Sequence, residues 1–102
     1  MKRYKTRPGV VLTEICDEYV LVSAKAALAF CPYVTQINES SAFLWRQLQE
    51  GADLEELEAA VSKEYEIEDP AAVRQAIESF LQQMLDMNYL IPMEQEGENE
   101  KG

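Results

Sequence analysis

The chain has 102 residues, and its 9 Lys and Arg against 19 Asp and Glu leave a net charge of −10 with no His. That is one domain's worth of polypeptide, since a typical domain runs roughly 100–200 residues. Four bases (Lys2, Arg3, Lys5, Arg7) precede every acid, so residues 9–102 carry 5 bases against 19 acids, or −14. A body that acidic repels a phosphate backbone, because nucleic-acid affinity depends on Lys and Arg releasing counterions. DNA and RNA binding is disfavoured.

No apolar run reaches the roughly 18 residues that span a bilayer, and no secretory core follows the charged opening Met1–Arg7. No membrane association is expected. With 47% hydrophobic residues and two cysteines, the chain can bury a core without staples, as a reduced, cytoplasmic protein does. Lack of His removes the commonest general base and the commonest metal ligand. Cys16 and Cys31 have no second pair to complete a zinc tetrahedron. Small buried thiols in strands are the plainer reading of both. The four glycines are isolated, so no phosphate-binding loop exists. Neither catalysis, metal nor cofactor is expected.

In chain order, Val10–Cys16 and Tyr19–Ser23 are short runs rich in β-branched and aromatic residues, separated by Asp17-Glu18. They predict a hairpin without the Asn-Gly signal of a sharp turn. Lys25–Leu28 reads as a connection. Phe30–Ile37 reads as a third strand, and Pro32 near its start places it at a sheet edge.

From Asn38 the period changes from two to about 3.6. Asn38 is a good N-cap, Phe43, Leu44, Trp45 and Leu48 supply a buried side, and Gly51 ends this helix. Asp53 with Glu56 resembles a capping box for a second helix carrying Leu54, Leu57, Val61 and Tyr65. Asp69 caps a third helix with Pro70 at its first position, running to about Met87. Tyr89–Pro92 reads as a short extended segment. Residues 1–8 read as a basic arm, 9–92 as the domain and 93–102 as an acidic disordered tail. Strands followed by helices make an α+β fold: a three-stranded antiparallel sheet, then three helices, in a winged-helix-like arrangement.

These residues resemble a known family. Arg7-Pro8-Gly9-Val10, Val20-Leu21-Val22, the Ile37-Asn38 step into Ser41-Ala42-Phe43-Leu44-Trp45, and Gly51…Leu54…Leu57 are similar to the PqqD-like proteins. Tyr65, Pro70 and the closing Leu81…Leu85…Tyr89-Leu90 continue the likeness. It covers roughly residues 7–91, and none of its motifs is a catalytic signature. It implies a precursor-peptide recognition element. Such a protein holds the leader of a ribosomally made precursor and presents it to a modifying enzyme, often a radical S-adenosylmethionine enzyme. The leader adds as a strand beside the third strand and packs on the third helix. Here Tyr33, Val34, Thr35, Gln36 and Ile37 become the pairing edge, and Arg74, Ile77, Glu78, Leu81 and Leu85 the groove wall.

The residues give partial support of their own. With about 100° per residue from Val73, Ala76, Ile77, Phe80, Met84 and Met87 share one arc, and Leu81 and Leu85 lie beyond it. The apolar stripe spans roughly 180°, against the ~100° a core-facing helix needs. Its surplus fits a groove wall, and equally a central helix buried on both sides. On the first reading, Leu81→Glu abolishes peptide capture with little change in folding. The alternative function is a winged-helix protein-interaction or transcriptional module without a leader. An unpaired edge also permits a symmetric homodimer.

Overall fold

The computed structural model describes residues 2–93. Six strands and three helices follow in order along it: β1 (Arg3–Thr6), β2 (Val10–Ile15), β3 (Glu18–Ser23), β4 (Thr35–Ile37), α1 (Glu39–Leu48), β5 (Ala52–Asp53), α2 (Leu54–Glu64), α3 (Pro70–Asp86) and β6 (Leu90–Met93). A 3-10 turn, Lys25–Ala29, links β3 to β4. The fold is α+β, with two three-stranded antiparallel sheets ordered β2-β3-β4 and β5-β1-β6.

The first sheet is the one the sequence predicts, with its hairpin moved by one residue. Cys16 and Asp17 form the two-residue loop at φ 51° and 67°, and Glu18 opens β3 opposite Ile15. Two successive positive φ values are those of a type I′ turn, whose twist matches the flanking strands. Cys16 is therefore exposed in a turn, contrary to the buried-thiol reading, whereas Cys31 is buried.

The second sheet corrects the reading of residues 1–8 as an arm. Arg3–Thr6 is its central strand, pairing with Leu90–Met93 on one side and Ala52–Asp53 on the other. The Arg3 guanidinium reaches Glu56 at 2.7 Å and donates to the Gly51 carbonyl at 3.1 Å. Arg7 donates from Nε to the Asn88 carbonyl at 2.6 Å and lies over the Phe30 ring. These cations close the fold on itself. Met93 ends β6; the remainder of the predicted tail, 94–102, lies outside the described residues.

Local chemistry starts each helix where the sequence places it. The Asn38 side chain accepts from the Ser41 amide, and Asp53 and Glu56 complete the reciprocal box. Asp69 accepts from the Ala72 amide, with Pro70 following at the first position. The core gathers Leu21 from β3, Trp45 and Leu48 from α1, Leu57 from α2, Ile77 and Met84 from α3, and Tyr89. Tyr89 meets the Trp45 ring edge-on at 6.2 Å. It thereby joins the C-terminal end of α3 to the centre of the molecule.

Candidate functional site

Strand β4 is an edge. It pairs with β3 through Tyr19↔Ile37, Val20↔Gln36 and Leu21↔Thr35, and among the described residues no strand lies on its other side. Backbone groups on such a flank are a ready template for an incoming extended chain. The sequence reading extends the strand too far: Tyr33 and Val34 precede it, and only Thr35, Gln36 and Ile37 are in it.

Two tyrosines fix the approach to this edge. Tyr33 donates its hydroxyl to the Met87 carbonyl at 2.5 Å and stacks edge-on against Tyr89 at 5.6 Å. The Tyr89 hydroxyl shares a 2.6 Å hydrogen bond with Thr35 Oγ1 and donates to the Tyr33 carbonyl at 3.3 Å. Burial raises the Tyr89 phenol above its ordinary pKa of 10.0, and the Thr35 bond pulls the other way. Tyr89 therefore stays a neutral donor and acceptor. Val34 is left 65% exposed beside this anchor.

The predicted wall divides between two cavities. Arg74, Glu78, Leu81 and Leu85 line one of about 410 Å³, together with Lys2, Tyr4, Leu54, Glu55 and Gln82. No β4 residue takes part in it. Arg74 is engaged there with Glu58 at 2.9 Å and Glu78 at 3.8 Å. Leu81 belongs to the core cluster. The expectation that Leu81→Glu leaves folding intact is corrected, because a buried unpaired carboxylate is costly.

The second cavity, of about 500 Å³, has Asn38, the residue after β4, in its wall. Its other walls are Ser40, Ser41, Phe43 and Leu44 of α1, Val61 of α2, Tyr65, Ile67, and Val73, Ala76, Ile77, Ser79, Phe80 and Gln83 of α3. Ile77 alone is common to this wall and the predicted one. The apolar arc through Val73, Ala76 and Phe80 is thus the side of α3 turned toward the β4–α1 junction. The wheel contained that arc. What the sequence lacks is which flank of a wide stripe meets which neighbour. Phe43 and Tyr65 floor the cavity edge-on at 5.5 Å. Its volume lies within the roughly 300–1,000 Å³ of ordinary ligand pockets.

The open edge of β4 thus leads through Asn38 to a helix-lined apolar cavity in a small α+β domain, and no group of three His, Cys, Asp or Glu able to hold a metal is found among the described residues. Residues 18–90, more than half of the chain, match the family model of coenzyme PQQ synthesis protein D, and the chain belongs to this PqqD family. In fold it is similar to TbiB1, a structure solved in complex with the TbiA(beta) leader peptide. The TM-score is 0.66 at 26% identity, covering 84% of this chain and 93% of that one. No curated protein matches it in sequence. No helix among the described residues is long and apolar enough to cross a membrane.

Proposed function

We propose that this protein binds the leader segment of a ribosomally made precursor peptide by strand addition to β4 and presents it to a modifying enzyme, a radical S-adenosylmethionine enzyme in the family's usual arrangement. It acts as a recognition element and not as a catalyst. The observation that carries the reading is the unpaired flank of β4 beside the cavity at Asn38. Membership of the PqqD family and likeness to a leader-bound neighbour support it.

Magnitudes divide the work between edge and cavity. Each backbone hydrogen bond contributes a net of about 0.5–1.5 kcal/mol, and association costs at least about 4 kcal/mol. Even four such bonds, about 2–6 kcal/mol, leave little surplus. Micromolar affinity needs about −8 kcal/mol. Leader side chains must supply the rest, at roughly 1.5–3 kcal/mol for each buried Leu- or Phe-sized group. Tyr33, Val34, Thr35, Gln36 and Ile37 set the register of the guest strand. Val73, Ala76, Ile77 and Phe80 receive its apolar side chains.

The test is an NMR titration of the labelled protein with the synthetic leader of the precursor encoded beside its gene. Shifts should concentrate at Tyr33–Ile37 and on the Val73–Phe80 face. Saturation with shifts confined to β1, β2 and α2 would reject the site.

A further inference from the structure

The other edge of the hairpin sheet is strand β2, and among the described residues nothing pairs with its outer side. It has six residues where β4 has three. Exposed edges are ordinarily guarded by proline, a bulge or charge. Val10-Val11-Leu12-Thr13-Glu14-Ile15 contains no proline and one charge. Val11 and Ile15 are 53% and 54% exposed. Strand alternation sets them with Thr13 on the face opposite buried Val10. Across the hairpin Val11 adjoins Val22 and Thr13 adjoins Val20, so branched side chains continue over that face. This edge also precedes residues 18–90, the part matched by the family model.

We propose that β2 joins two copies of this chain by antiparallel pairing about a two-fold axis at Thr13. Symmetry selects that register. An axis normal to the sheet keeps the same face outward in both copies, so outward residues oppose outward residues. Centred on Thr13, it sets Val11 of each copy against Ile15 of the other. Two apolar cross-strand pairs then cover the exposed apolar side chains of the joined strands, Val11 and Ile15 of each copy.

Charge fits the same arrangement. Within residues 1–38 the only acids are Glu14, Asp17 and Glu18, all around the hairpin turn, and the bases nearest the opposite end are Arg7 and Lys25. Antiparallel pairing brings each acidic turn to the other copy's basic end. The net charge of −10 on each copy opposes association. Beyond a Debye length of about 8 Å at physiological salt, that repulsion is screened, leaving groups near the seam to decide.

Sedimentation equilibrium of the full chain, from micromolar to millimolar concentration, tests the proposal. The mass should rise toward that of two chains, and Val11→Lys should weaken association at least about tenfold. Ile15→Lys is the second variant; both side chains are exposed, and circular dichroism checks their folding. Amide exchange in the unmodified protein should slow with concentration at Val11–Ile15 and not at Thr35–Ile37. A single-chain mass at millimolar concentration overturns the proposal, as does association that neither variant weakens. Leader binding at β4 stands apart, since Val11→Lys leaves that edge intact.

Discussion

The hydroxyl of Tyr89, just beyond α3, lies 2.6 Å from Thr35 Oγ1, the first residue of the open edge strand. With its second bond to the Tyr33 carbonyl, this buried phenol couples the end of the third helix to the start of β4. Tyr89→Phe keeps the ring and removes both bonds. A lost hydrogen bond is worth about 0.5–1.5 kcal/mol, and a buried partner left unpaired costs about 1–3 kcal/mol. Urea unfolding should show a loss of about 1–3 kcal/mol, with faster amide exchange at Thr35, Gln36 and Ile37. Unaltered exchange there would separate Tyr89 from the edge.

The same phenol gives the alkaline limb of stability a direction. Burial raises its pKa in the folded protein, whereas the unfolded chain releases the proton near pH 10, about the ordinary value. Above that point the unfolded state binds fewer protons than the folded one, so stability falls as pH rises. The contribution is complete below about pH 10 and is lost as pH climbs through the raised folded value. Chemical denaturation at about pH 9 and about pH 11 spans the onset of the loss, near the unfolded value of about 10. Tyr89→Phe should lose less stability across that interval than the unmodified protein.

What could be read from the sequence was whatever is local. The caps at Asn38, Asp53 and Asp69 rest on a side chain bonding an amide three residues on, so each helix start was legible. The hairpin slipped by one because Cys16 and Asp17 adopt positive φ without the glycine or asparagine that signals it. Strand β1 was not legible at all. Arg3–Thr6 is short and half-basic, and its partners Ala52–Asp53 and Leu90–Met93 lie far along the chain. The candidate site divides in the same way: Thr35, Gln36 and Ile37 lie on an open edge as the sequence suggests, whereas of the helix residues read as its wall only Ile77 lines the cavity beside that edge. A wheel orders a stripe, but only tertiary packing turns Ala76 toward Asn38 and Leu81 into the core.

That division gives a paired test. Ala76 is exposed on the cavity wall near the β4–α1 junction, so Ala76→Glu should fold normally and put a carboxylate in the cavity proposed to receive apolar leader side chains. Leader affinity should fall at least tenfold, about 1.4 kcal/mol. Leu81 is 6% exposed, so Leu81→Glu should unfold much of the protein, with a loss of several kcal/mol from a desolvated charge and a disrupted core, above the ~3 kcal/mol of ordinary substitutions. Fluorescence polarisation with labelled leader, beside thermal unfolding, separates the two. Equal affinity for Ala76→Glu and the unmodified protein would remove that cavity from the binding site.

Deleting residues 2–6 distinguishes a strand from an arm. A solubilising arm can be cut without loss of stability, whereas β1 is the central strand that joins β5 to β6. Its removal strips the pairing from Leu90–Met93 and Ala52–Asp53 and takes away the Arg3 contacts to Glu56 and Gly51. The exposed Arg3–Glu56 pair contributes little, about 0–1 kcal/mol. The ladder matters more, at about 0.5–1.5 kcal/mol for each bond. Tyr4 is also packed against the core. The truncated chain should lose about 3–5 kcal/mol, a large share of the 5–15 kcal/mol typical of a domain, with amide protection falling first at Leu90 and Ile91. Because Tyr89 adjoins β6, the loss should pass to Thr35 through its hydroxyl, so leader binding should weaken although no leader-facing residue has been removed. Full stability after the deletion would mean that β1 adds nothing to the fold.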